Sequence, residues 1–266
     1  MENKMKTVFL FDLDGTLCRS RKKVQENIIE TLSKANESVE IGILTGSDLD
    51  FLKEQCEELF LSLPHKHKIY AMACNGTKSF VVEKEDNKIV YHLLKEESIK
   101  SHIGEDSFTE LMKELVFMQA ELITREIIPL TGNFIASRGS TINWCPIGRG
   151  ADDKDRETFV KKDKSEGLRK KQLKILEEFL EANSLDLVAN IAGDTSFDIY
   201  PENWDKTYAM QFFEGYDVYF WGDRMFPNGN DYTMHLLLKE NSFPIKDPDD
   251  TNNSVLTLMK RIKIFL

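Results

Sequence analysis

Val8–Phe9–Leu10–Phe11–Asp12–Leu13–Asp14–Gly15–Thr16–Leu17 is the stretch whose reading decides the fold. Its four leading apolar residues are rich in β-formers and predict a buried strand. Two carboxylates, two residues apart, follow where that strand ends, and Gly15 and Thr16 turn the chain. In an open α/β sheet, ligands sit in the crevice beyond the carboxyl ends of the strands. A single aspartate at a strand end can simply cap a turn. Two of them there are costly unless a cation or a reacting group uses them.

Downstream, Val24–Asn36 has helical spacing at Val24, Ile28, Ile29 and Leu32. Val39–Thr45 reads as a second strand, and Ser47 or Asp48 opens a helix carrying Leu49, Leu52, Cys56 and Leu59. A third strand, Ile69–Cys74, ends in Asn75–Gly76–Thr77. Strand, helix, strand, helix, strand predicts an α/β fold with a doubly wound, Rossmann-like parallel sheet. The rhythm then changes. Phe80–Val82 and Ile89–Leu93 flank a polar turn and read as a hairpin, followed by a helix over Asp106–Leu122. Two short strands, Phe134–Ser137 and Thr141–Cys145, precede a charged helix in two parts that ends near Leu180. This pattern predicts an inserted α+β cap domain at residues 83–184, with a discontinuous core domain of residues 1–82 and 185–266. The core is expected to resume with Leu187–Ala192 and Val218–Trp221, the latter running into Gly222–Asp223, and to close on an amphipathic helix over Thr251–Ile264.

The formal charge of −10 argues against nucleic acid and anionic membrane as partners. An acidic protein that binds phosphates must therefore gather its arginines locally. Four scattered cysteines, Cys18, Cys56, Cys74 and Cys145, lack zinc spacing and predict free thiols in a reducing compartment. The first strand begins almost at once, leaving no room for a secretory signal, and no apolar run approaches the roughly 20 residues of a membrane span. The expectation is a soluble, cytoplasmic protein.

Asp-x-Asp-Gly-Thr after a strand resembles the first motif of the haloacid-dehalogenase-like phosphotransferases. Further segments occur in order: Gly46–Ser47–Asp48, Asn75–Gly76–Thr77, Ser196–Phe197–Asp198, Trp204–Asp205–Lys206 and Gly222–Asp223. Together with Asn143–Trp144–Cys145–Pro146–Ile147–Gly148–Arg149 and the following Arg156, they are similar to the run of the eukaryotic-type phosphomannomutases over nearly the whole chain. The resemblance implies Asp12 as a nucleophile that becomes an aspartyl-phosphate, and Asp14 as general acid and base. It implies Ser47 and Lys206 on the transferring phosphoryl group. Mg2+ would be held by Asp12, the Asp14 main chain and Asp223, with Asp231 as a supporting partner.

A hexose bisphosphate has two phosphates, and only one can sit at Asp12. The other needs fixed cations, and guanidinium binds phosphate through two bonds. Arg138, Arg149 and Arg156 are the cap candidates, with Arg21 from the core, while Ser196 and Asp198 by resemblance hold sugar hydroxyls. The implied reaction converts mannose 6-phosphate to mannose 1-phosphate, primed by a hexose 1,6-bisphosphate and feeding GDP-mannose synthesis, in a homodimer joined through the caps. A magnesium-dependent sugar phosphatase and an inactive sugar-phosphate binding module are the alternatives. The chain departs from the family pattern at Pro129–Phe134, which lacks a basic run, at Thr45, and at Tyr232–Lys239. These departures concern a second, structural metal and the sugar preference; Asp12 and Asp14 are untouched.

Overall fold

The computed structural model describes residues 5–20, 22–227 and 229–264. They form two compact units. The first runs to Glu96 and resumes at Asn203; the second is Glu97–Glu202.

The first unit is built on a seven-stranded sheet. Its strands are β1 (Lys6–Phe11), β2 (Glu40–Leu44), β3 (Ile69–Ala73), β4 (Lys78–Glu85), β5 (Lys88–Glu96), β10 (Tyr216–Gly222) and β11 (Ser242–Pro244), in the order β11-β10-β1-β2-β3-β4-β5. From β11 to β3 all neighbours are parallel. Parallel strands are covered on both faces, which is why β1 is an unbroken apolar run rather than an alternating one. Phe9 and Phe11 pack on one side with α1 (Glu26–Asn36), α2 (Leu49–Ser62) and α8 (Pro248–Arg261), through Ile28, Leu32, Leu52, Leu59, Val255 and Leu258. Val8 and Leu10 pack on the other with Met72, Phe213 and Met234. Each such side chain contributes roughly 1.5–3 kcal/mol by leaving water. Asp48 caps α2, accepting from the Phe51 N–H at 3.2 Å.

The hairpin over Phe80–Leu93 belongs to this sheet and not to the insertion. β4 pairs antiparallel with β3, Ile69 opposite Val82, and buries Phe80 and Val82 in the same core. Asp86 and Asn87, both at positive φ, make the tight turn into β5.

The second unit has an antiparallel sheet of β6 (Ile135–Ser137), β7 (Ile142–Trp144), β8 (Val188–Ala192) and β9 (Ser196–Tyr200), in the order β6-β7-β9-β8. Four helices accompany it: α3 (Ile99–Ile103), α4 (Glu105–Arg125), α5 (Asp153–Glu166) and α6 (Leu168–Ala182). Leu187–Ala192 was expected to resume the parallel core; it is the outer strand of this second sheet instead. The cause is a hairpin, in which Val188 pairs with Tyr200 and Ala192 with Ser196, and β9 in turn pairs with β7. The insertion is thus displaced from the expected 83–184 at both ends. Trp144 stacks on Phe197, rings 4.8 Å apart, at the centre of its apolar core. Gly167, at φ +66°, separates α5 from α6 and makes the expected two-part helix.

Cys18, Cys56, Cys74 and Cys145 are buried free thiols. Among the described residues no helix is long and apolar enough to cross a membrane.

Candidate active site

The parallel strands of the first unit end on the same side of the sheet, and the predicted residues follow those ends. Asp12 is still in the ladder: its N–H donates to the Trp221 carbonyl at 2.9 Å. Because Phe11 is level with Trp221, the chain leaving β10 passes Asp12 and brings Asp223 alongside. Gly15 takes φ +93°, and a Cβ there would lie 2.3 Å from Asp223 Oδ2. A side chain at residue 15 would therefore be both strained and in the way of that carboxylate. Gly222 does the same service for Asp231, whose Oδ2 would lie 2.6 Å from an added Cβ.

Lys206 is fully buried and donates to Asp12 Oδ1, and to Asp231 Oδ1 at 2.5 Å. A lysine at that depth is tolerated only because it is paired. Asp231 is held from its other oxygen by the Arg224 N–H at 3.0 Å, and Thr16 Oγ1 donates to Asp12 Oδ2 at 3.3 Å. Burial opposes the charge on Lys206, but Asp12 and Asp231 outweigh it and hold the ammonium above its ordinary range. Burial lifts the Asp12 carboxyl to about 7 against the pull of Lys206, with Asp231 and Asp223 adding to the rise. Asp223 is raised too, by burial and then by Asp231. One buried ammonium, with the exposed Arg224 guanidinium 3.9 Å from Asp223, faces three carboxylates, an arrangement still short of positive charge.

Asp12, Asp223 and Asp231 each offer an oxygen, all within 4.8 Å of one another. Hard oxygen donors of that number fit a magnesium ion. The Asp14 carboxylate is not in this trio; it accepts from Gln55 Nε2 at 3.0 Å. Ser47 is half-buried in the turn after β2, its carbonyl accepting from the Cys74 N–H at 2.9 Å. Arg21 lies outside the described residues.

The remaining candidates are on the second unit. Ala136, Asn143 and Asp198 are cross-strand neighbours, so they share one face of its sheet, with Ser196 two residues before Asp198. Asn143 is buried in β7 and joins two predicted residues: its Nδ2 donates to Asp198 Oδ1 at 2.7 Å, and its Oδ1 accepts from Arg149 Nη1 at 2.9 Å. Arg156 reaches Thr195 Oγ1 at 3.5 Å, next to Ser196, and the Ala151 carbonyl at 3.1 Å. Arg149, Arg156, Ser196 and Asp198 are thus brought together through Asn143 and Thr195. Arg138 is in the turn between β6 and β7, its main-chain N–H donating to the Thr141 carbonyl at 2.8 Å. Two polar residues escaped sequence reasoning, Gln55 and Thr195. The signal for Gln55 is a polar side chain on the buried stripe of its helix with Leu52, Cys56 and Leu59; Thr195, in the turn before β9, carries none.

Solved structures of similar architecture include a haloacid dehalogenase-like hydrolase from Bacteroides thetaiotaomicron. It is 14% identical, with TM-score 0.58 over 95% of this chain and 99% of that one. Plasmodium falciparum IMP-nucleotidase, in N-terminally truncated form, has TM-score 0.65 at 14% identity over 97% of this chain and 69% of that one. Identities this low speak for the fold alone. Sequence similarity is closer. A phosphomannomutase of Dendrobium officinale is 32% identical over 246 residues, 92% of this chain and 90% of that one. Phosphomannomutase 1 of Dictyostelium discoideum is 34% identical over 251 residues, 93% of this chain and 94% of that one. The family model of the eukaryotic phosphomannomutases matches residues 28–261. With nearly its whole length matched, the chain belongs to the eukaryotic phosphomannomutase family.

Proposed function

We propose that the protein interconverts mannose 6-phosphate and mannose 1-phosphate by lending a phosphoryl group from Asp12. The observation that carries this reading is the placement of Asp12 at the tip of β1, the middle one of the five parallel strands, bonded to buried Lys206 and ringed by Asp223 and Asp231. A carboxylate so placed can attack phosphorus, and Lys206 and Thr16 hold it oriented for the attack. Asp14 protonates the leaving sugar oxygen and later takes the proton from the incoming hydroxyl. The Ser47 hydroxyl donates to the transferring phosphoryl group.

Asp12, the Asp14 main chain and Asp223 would hold Mg2+, with Asp231 as a supporting partner. The ion would supply positive charge for the phosphoryl oxygens. Arg149 and Arg156, with Arg138, grip the phosphate that is not at Asp12, while Ser196 and Asp198 hold sugar hydroxyls. The same grip serves either phosphate of a hexose 1,6-bisphosphate, which is both intermediate and activator. The protein works in the cytoplasm as a homodimer joined through the second unit, and its product feeds GDP-mannose synthesis.

A coupled assay with mannose 1-phosphate and glucose 1-phosphate, each with and without hexose 1,6-bisphosphate, tests the reading. Isomerisation that requires magnesium and rises with the bisphosphate is the expected result. Release of inorganic phosphate with no isomerised sugar would replace the mutase by a phosphatase. Arg149→Ala separates the two activities further. Loss of a charge-assisted pair should lower kcat/KM for isomerisation roughly 10- to 100-fold while sparing hydrolysis of small phosphate esters. An equal fall in both would show that Arg149 has no special hold on the sugar phosphate.

The metal reading has its own measurement. An ion bound at 100 times its Kd stabilises the fold by about 2.7 kcal/mol, a rise of about 5–10 °C in Tm for a chain this long. Adding magnesium should produce that rise and EDTA should reverse it. A melting curve indifferent to both would remove magnesium from the site.

A further inference from the structure

We propose that Gln55 is a positioning residue for the proton-transfer step, fixing the Asp14 carboxylate for its encounter with the sugar oxygen. This rests on the assignment of Asp12 and Asp14 above. Asp14 is in the turn after β1, paired with Cys18 in an isolated bridge just before the positive-φ Gly15. Gln55 ties its carboxylate to a helix. It sits within α2, 4% exposed, between Glu54 and buried Cys56. A glutamine amide at that depth must find partners for its polar atoms.

The Nε2 atom has two N–H groups. It lies 3.0 Å from Asp14 Oδ1 and 3.1 Å from the Lys22 carbonyl, with Cys18 Sγ at 3.4 Å. Two protons and two close oxygen acceptors make one bond to each, and sulfur is the weaker acceptor. The Gln55 main-chain carbonyl accepts from the Val24 N–H at 3.2 Å. Side chain and main chain of one residue therefore tie Asp14 and Val24 to a helix. That helix is itself fixed by buried Leu52, Cys56 and Leu59, so the carboxylate takes its aim from a rigid element.

The chemistry tells positioning from mere support. When the phosphoryl group moves to Asp12, a new P–O bond forms to the Asp12 carboxylate. The P–O bond to the sugar breaks, and its electron pair stays on the sugar oxygen. A sugar alkoxide leaves poorly, so the Asp14 proton must pass to that oxygen as the bond breaks. From p-nitrophenyl phosphate the leaving group departs as a stable phenolate and needs no proton. A misdirected Asp14 slows the first transfer and spares the second; a damaged fold slows both.

The experiment uses the magnesium-loaded full chain in excess over substrate, in single-turnover mode. It compares hexose monophosphate release from hexose 1,6-bisphosphate with p-nitrophenolate release from p-nitrophenyl phosphate. Gln55→Leu should slow the sugar reaction roughly 10- to 100-fold and change the phenolate reaction by less than about threefold. The ratio is taken on one sample, so a smaller folded fraction cancels from it. Gln55→Glu keeps the shape, removes the donors, and should show the same split. Equal slowing of both reactions, or no slowing of either, would overturn the positioning role while leaving the mutase reading intact. A wild-type chain that releases no hexose monophosphate at all would take down the mutase reading, and this proposal with it.

Discussion

Asp12→Asn abolishes sugar-phosphate isomerisation, with turnover reduced at least about 10,000-fold in the coupled assay. The substitution is nearly isosteric. The amide oxygen can still accept from Lys206, and the amide nitrogen in the place of Oδ2 can donate to Thr16 Oγ1, whose hydroxyl also accepts, so the local geometry has little reason to change. What disappears is the atom that attacks phosphorus. An amide does not form an acyl phosphate, and none of the neighbours is placed to substitute for it. Asp223 and Asp231 lie beside Asp12, not ahead of it in the ladder, and Asp231 is already bonded to Lys206 and the Arg224 N–H. Intact-mass measurement after brief exposure to hexose 1,6-bisphosphate should show a phosphorylated wild-type chain and an unmodified variant. Since Lys206 keeps Asp231, the melting temperature should move by only a few degrees. Isomerisation at the wild-type rate would end the proposal that Asp12 carries the phosphate.

Lys206→Met acts on stability as well as on rate. Methionine fills a similar volume but leaves Asp12 and Asp231 without their shared ammonium, in a site where both are almost fully buried. Breaking a buried ion pair by removing one partner costs about 3–5 kcal/mol, because the survivor's charge is stranded. For a chain of this length that is a fall of about 6–20 °C in Tm. Adding Asp231→Asn to Lys206→Met should recover a large part of the loss, since one stranded charge is then gone. The two changes touch the same ion pair and their effects should not add. Magnesium should narrow the difference between wild type and Lys206→Met, by supplying positive charge beside the remaining carboxylates. A single variant that melts with wild type would mean that Lys206 contributes no net stability where it sits.

How far each feature could be read in advance follows from where its information lies. The parallel frame was legible, apart from its short edge strand Ser242–Pro244, because its other strands carry compact apolar runs ending in turn signals, as at Asp14–Gly15 and Gly46–Ser47. The division between units was not, because an apolar run does not say what it pairs with. Leu187–Ala192 reads equally well as a buried parallel strand; only its hairpin with Ser196–Tyr200 assigns it to the second sheet. Ile89–Leu93 misled in the opposite sense, since a hairpin can extend a parallel sheet at its edge. Lys206 had little local signal, and its burial depends on carboxylates 194 and 25 residues away along the chain. Gln55 in α2 had none beyond its place on the buried stripe, and Thr195 in its turn had none.

The pairing of Lys6 with Tyr216 through Phe11 with Trp221 has a consequence for how the protein comes into being. On a ribosome, the second unit has its whole sequence before β10 is synthesised, so it can settle while the first still lacks the neighbour on one flank of β1. Until then the strand tipped by Asp12 stands as an open edge, exposed to whatever else in the cell seeks a partner. A message cut short after the second unit would leave that edge bare for good, and such a product should need chaperones or be degraded.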